Sequence, residues 1–139
     1  MLIWTLVNSR GSFAVVKVGI PKDGGQNVAI KIIDKKDAQF DKDSLEQEIA
    51  IMKKLDHKNV VRMFEVLDCP SNPKLYIRIE YVDGGKSMPS ENGVPPLDHA
   101  KARSYFWDLM NGMQYLHFNN VLHRDIKPDN VLLTDRERE

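Results

Sequence analysis

The polar string His123-Arg124-Asp125-Ile126-Lys127-Pro128-Asp129-Asn130 holds the densest chemistry in the chain. Asp125 offers a carboxylate that can accept the proton of an attacking hydroxyl. Lys127, two residues on, can neutralise negative charge growing on a transferred γ-phosphate, and Asn130 can ligate a magnesium ion. Phosphoryl transfer asks little covalent work of a protein; it needs positioning and charge compensation, and this loop carries both. The plain alternative is a solvated polar loop.

A second pair lies upstream. Lys31 ends the apolar run Val28-Ala29-Ile30-Lys31, which taken alone reads as a strand meeting solvent. Glu48 changes that reading. It sits three residues after Leu45 and four before Met52, on the inward side of a helix, and an inward carboxylate wants a cationic partner. Lys31 is the obvious candidate.

These residues need elements to hold them. Val15–Val18 and Val28–Ile33 are β-branched runs separated by Pro21-Lys22-Asp23-Gly24-Gly25-Gln26-Asn27, a strong turn signal. Asp43-Ser44-Leu45-Glu46 reads as a capping-box start, and Leu45, Ile49, Met52 and Leu55 recur at helical spacing behind it. Strands follow at roughly 60–66 and 75–82, with Cys69 to Pro73 as the turn. Gly84 to Pro96 reads as a hinge or linker. From Asp98 to about Asn119 the pattern is helical, with Ala102, Phe106, Leu109, Met113 and Leu116 on one face. The expected class is α+β: five antiparallel strands and one helix over 1–82, a linker over 83–97, and the start of a helical unit over 98–139. No internal repeat or low-complexity segment interrupts this order.

Composition narrows the class. The 139 residues carry 20 basic and 20 acidic side chains, a balance without the basic bias of nucleic-acid binding. Cys69 is the one cysteine and cannot form an internal disulfide, which suits a reducing compartment, cytoplasmic or nuclear. The apolar start, Met1 to Val7, is far short of the ~20 residues of a membrane span. No nucleic-acid or membrane partner is therefore expected.

The catalytic-loop string, with Asn130 five residues after Asp125, resembles that of the protein kinase family, and the likeness runs from about Leu6 to Thr134. A finer resemblance, to the calcium/calmodulin-dependent kinase kinases, rests on Glu48 to Val61, Phe64 to Asp68, Glu80 to Gly85, and Ala102 to Phe106 leading to Tyr115-Leu116-His117. The resemblance implies an ATP- and magnesium-dependent Ser/Thr kinase, because a lysine two residues after Asp125 is the Ser/Thr form. Its protein substrate would be the activation segment of another kinase. By position, Asp125 would be the catalytic base, with Lys127 beside it and Asn130 as a metal ligand. Lys31, paired with Glu48, would hold the α- and β-phosphates. Glu80 and Val82 would offer hinge backbone groups to adenine, with Ile79 as gatekeeper. Val16 and Ala29 would roof the adenine and Leu132 would floor it. Met52, Met63 and His123 would belong to a stacked spine.

Departures from the pattern matter too. The glycine-rich loop falls on Ser9-Arg10-Gly11-Ser12-Phe13-Ala14-Val15-Val16, where Gly11 alone survives of three glycines; read without context, this is an ordinary hairpin. Its register is set by Val16, fifteen residues before Lys31. The long insert that some members carry after the strand lysine is absent. Only nine residues follow Asn130, fewer than the family takes to reach its Asp-Phe-Gly motif. The 139 residues by themselves are thus expected to bind Mg-ATP weakly and to leave the Ala102–Leu116 face half exposed. A rival reading is a non-catalytic regulatory fragment that binds partners.

Overall fold

The computed structural model describes residues 2–3, 14–37, 40–85 and 97–134. The chain divides into two compact units: Leu6–Leu55 with Arg62–Tyr81, and Met1–Thr5 with Asp56–Val61 and Val82–Glu139.

The first unit is built on an antiparallel sheet. Strands β2 (Ala14–Gly19), β3 (Val28–Asp34), β4 (Met63–Asp68) and β5 (Lys74–Glu80) lie in the order β2-β3-β5-β4. Among the described residues the sheet has four strands rather than the expected five; residues 4–13, which would supply another, lie outside them. The runs do alternate as strands should. Leu75, Ile77 and Ile79 are buried, whereas Tyr76 is half-buried and Arg78 exposed. Cross-strand pairing puts Ala29 beside Ile79 and Lys31 beside Ile77, so the buried lysine shares a face with the apolar core.

Helix α1 (Lys42–Met52) adds Leu45, Ile49 and Met52 to that core. It starts earlier than the capping-box reading placed it. Asp41 is the N-cap, its carboxylate accepting the Ser44 N–H at 3.2 Å. Three polar residues in four (Asp41, Asp43, Ser44) could each cap, and the one that leaves Leu45 facing inward does so.

In the second unit, α2 (His99–Phe118) begins on Asp98, whose carboxylate accepts the Lys101 N–H at 2.9 Å. Its end is a Schellman turn. Asn120 takes a left-handed φ of 58°, Val121 N–H donates to the Leu116 carbonyl at 2.9 Å, and Asn120 N–H to that of His117 at 3.0 Å. Asparagine tolerates this conformation better than other non-glycine residues. Asn120→Gly is expected to leave stability nearly unchanged, whereas Asn120→Val should cost about 1–2 kcal/mol; chemical denaturation of the two variants checks this.

Leu116 and Gly112 of α2 are buried, Leu109 and Met113 half-buried, and Ala102 and Phe106 exposed, as are Trp107 and Phe118. The face expected to lack partners is indeed incompletely covered. No helix among the described residues is long and apolar enough to cross a membrane.

Two features join this unit to itself across long stretches of sequence. Strand β1 (Leu2–Ile3) pairs antiparallel with β6 (Val131–Leu132). Tyr115 stacks on His57, ring centroids 4.7 Å apart, and its hydroxyl accepts the Asp56 N–H at 2.9 Å.

Candidate active site

The loop after the Schellman turn carries a hydrogen-bonded polar cluster. Arg124 is left-handed (φ 62°), a conformation that a β-carbon makes costly and that functional loops often retain. It reverses the chain so that the side chains on either side of it converge. The Asp125 N–H donates to His123 Nδ1 at 3.2 Å. Asp125 Oδ2 then accepts from Lys127 Nζ at 3.0 Å and from Asn130 Nδ2 at 2.9 Å. Asn130 Nδ2 also donates to the Asp125 carbonyl at 2.8 Å, held there by the short 3-10 turn Pro128–Asn130.

The electrostatic result is plain. Hydrogen bonding from Lys127 first, then from Asn130, with the positive charge of Lys127 nearby, holds the Asp125 carboxyl below the usual carboxylate range. It is an ionised acceptor throughout the physiological range. With the Asn130 amide nitrogen tied to Asp125, its oxygen is the atom left to face a cation, and an amide oxygen is a fitting ligand for magnesium.

In the first unit, Lys31 is 3% exposed. Burial pulls its pKa down from 10.5 to about 8, against the opposing pull of Glu48. Burial likewise pushes the Glu48 carboxyl up, partly offset by Lys31. The two groups therefore sense each other, as the inward position of Glu48 predicts. Oxygen Oε2 of Glu48 is buried without a hydrogen bond. A buried cation beside a carboxylate is the kind of group that can hold a phosphate.

Other expected site residues fall as follows. Val16 is the direct cross-strand partner of Lys31, the structural meaning of their fifteen-residue spacing, and is 47% exposed. Ala29 is buried. Glu80 is half-buried at the end of β5; its N–H donates to the Arg62 carbonyl, and its Oε2 accepts the Arg62 N–H. Val82 and Leu132 belong to the second unit and are half-buried. Gly11 lies outside the described residues. The structure thus groups Val16, Ala29, Lys31, Glu48 and Glu80 in one unit, and Val82, Asp125, Lys127, Asn130 and Leu132 in the other.

Sequence reasoning missed the role of Gly84 and Gly85. Gly84 N–H donates to the Leu133 carbonyl at 3.0 Å, and Leu133 N–H to that of Gly85 at 2.8 Å. Adjacent glycines just past a strand were the available signal.

The family model described as the protein kinase domain matches residues 9–138. The chain belongs to the protein kinase family. Its likeness to individual kinases is broad. It is 41% identical over 133 residues to the serine/threonine-protein kinase ssp1 of Schizosaccharomyces pombe, an alignment covering 89% of this chain and 20% of that protein. It is 47% identical over 93 residues to a calcium/calmodulin-dependent protein kinase kinase of Caenorhabditis elegans, covering 66% and 17%. Among solved structures, Rad53 residues 1–466 in complex with AMP-PNP match this kinase chain with a TM-score of 0.75 and 29% identity, over 92% of this chain and 33% of that one. The chain spans about a fifth of the length of these first two relatives.

Proposed function

We propose that this chain supplies the phosphate-holding lysine and the catalytic loop of a Ser/Thr protein kinase that moves the γ-phosphate of ATP to a protein hydroxyl. The observation that carries the reading is the Asp125 carboxylate, ionised and fixed through Oδ2 by both Lys127 and Asn130. In that role Asp125 orients a substrate hydroxyl and takes its proton, and Lys127 compensates charge on the phosphate oxygens. Lys31 binds the nucleotide's phosphates and Glu48 keeps its ammonium charged. Asn130 would hold a magnesium ion through its amide oxygen, and that ion would supply charge neutralisation to the phosphates. Val16, Ala29, Glu80, Val82 and Leu132 are the adenine-contacting set. The likeness to a kinase named for acting on another kinase supports the activation segment of a kinase as protein substrate. A cytoplasmic or nuclear setting completes the proposal, and the single cysteine supports it.

The test is phosphate transfer to a Ser/Thr peptide by the full-length protein. Asp125→Asn should lower kcat about 10²–10⁴-fold with little change in the KM for ATP. Because the Asp125 pKa is lowered, its protonation should not limit the rate until the pH falls below 3.8. Equal rates for the native protein and the Asn variant would refute the assignment.

A further inference from the structure

The outer face of the four-stranded sheet is unusually apolar for one turned to solvent. Pairing places Val15, Ile32, Tyr76 and Leu67 in one row across β2, β3, β5 and β4, opposite the buried face that carries Lys31 and Ile77. Val15 is 54% and Leu67 57% exposed, while Ile32 and Tyr76 are half-buried. The adjoining row reads Lys17, Ile30, Arg78, Glu65. Its arginine is already satisfied, donating to Glu65 at 2.9 Å and lying 5.3 Å over the Phe64 ring. Within the described sheet the row thus ends in a cation on β2 and an anion on β4, with an apolar row beside it.

That arrangement complements itself. Two such faces, related by a two-fold axis parallel to the strands, lay β2 of one copy over β4 of the other and β3 over β5. Each row then lies opposite itself. Val15 meets Leu67, Ile32 meets Tyr76, Ile30 meets the aliphatic stem of Arg78, and Lys17 of each copy meets the Glu65 carboxylate of the other, which Arg78 already binds through one oxygen. The rotation of about 30° usual between stacked sheets leaves the edge charges within reach of the long lysine stem. Isologous contact demands this self-matching of one patch, and few mixed surfaces meet it.

We infer that this face is a docking surface for a second copy of the same chain, seated as a two-fold sheet-on-sheet pair.

Sedimentation equilibrium of the full chain tests it. The native chain should dimerise. Lys17→Glu sets two carboxylates against each other at both contacts, and Glu65→Lys sets two ammonium groups; each should weaken the dimer at least about tenfold. An equimolar mixture of the two variants restores both contacts and should pair about as tightly as the native chain. Leu67→Lys, which touches no ion pair, should also weaken dimerisation and guards against the case in which Glu65→Lys disturbs the Arg78 contact. Near-UV circular dichroism confirms that each variant is folded. A native chain that stays monomeric, variants with native dimer mass, or a mixture that fails to pair would each overturn the inference.

Discussion

Lys31→Met combined with Glu48→Gln should make the chain more resistant to urea than the native protein, by about 1–3 kcal/mol at pH 7. The reasoning starts from the cost of the buried pair. A lysine whose pKa falls from 10.5 to about 8 on folding is penalised at neutral pH by ~3 kcal/mol. The unfolded chain binds the extra proton between those values, so the Lys31 contribution favours folding above pH 10.5 and is lost as the pH falls to about 8. Glu48 runs the other way. Its raised pKa favours folding below 4.5 and that contribution is lost as the pH rises through the folded value. At pH 7 Lys31 carries its charge at a cost, burial also penalises the Glu48 carboxylate, and Met with Gln removes both penalties while filling similar volume. Urea melts between pH 7 and 10.5 should therefore show the native-minus-variant difference closing as the pH rises. Glu48→Gln alone has a distinct signature: with the Glu48 charge gone, the Lys31 pKa should drop further below about 8, read by nitrogen-15 NMR of the Lys31 Nζ. A double variant less stable than the native chain would show that the pair stabilises the sheet instead of burdening it for function.

The second large effect is expected at Gly84. A β-carbon there would lie 2.8 Å from the Leu133 carbonyl carbon and closer still to its oxygen, a backbone group that cannot step aside. Gly84→Ala should cost about 2–3 kcal/mol and break the pairing of Gly84 and Gly85 with Leu133. Gly85→Ala makes a sharp control. Its φ of 70° makes alanine strained there, but nothing lies within 4 Å of the added carbon, so about 1 kcal/mol is expected. Denaturation midpoints rank the two; hydrogen exchange at the Leu133 amide reports the pairing itself. Equal costs would mean that crowding against Leu133 is not what selects glycine at position 84.

Most of the candidate site could be read from residue types and spacing because charge and periodicity are local properties. Glu48 was placed inward by its distance from Leu45 and Met52, and its coupling to Lys31 follows. Helix α2 is bounded where Asp98 and Asn119 suggest, since polar side chains at both ends satisfy the terminal backbone groups. The harder features are those in which one segment answers another. Nothing in Gly84-Gly85 names Leu133 as its partner, and the stretch reads as linker because glycines are common to linkers and close contacts alike. Val131-Leu132 is too short a run to announce a strand; its pairing with Leu2-Ile3 is set by tertiary structure. The placement of α1 slipped for a milder reason, the choice among competing caps. The convergence of Lys127 and Asn130 on one oxygen of Asp125 depends on the left-handed Arg124, which no rule of composition would assign to an arginine.

The β1–β6 ladder also bears on the order in which the chain assembles. Leu2 and Leu132 lie about 130 positions apart, so joining them closes a loop of that length for a ladder only two residues long. Loop-closure entropy grows with the logarithm of length, and two residue pairs return little against it. The β3–β5 and β4–β5 pairs and the turns of α2 form over much shorter separations and need no such closure. The ladder is therefore a late event in folding and an early one in unfolding. Strand β6 follows Asn130 directly, so until the ladder closes the end of the catalytic loop is anchored by the Leu133 hydrogen bonds to Gly84 and Gly85.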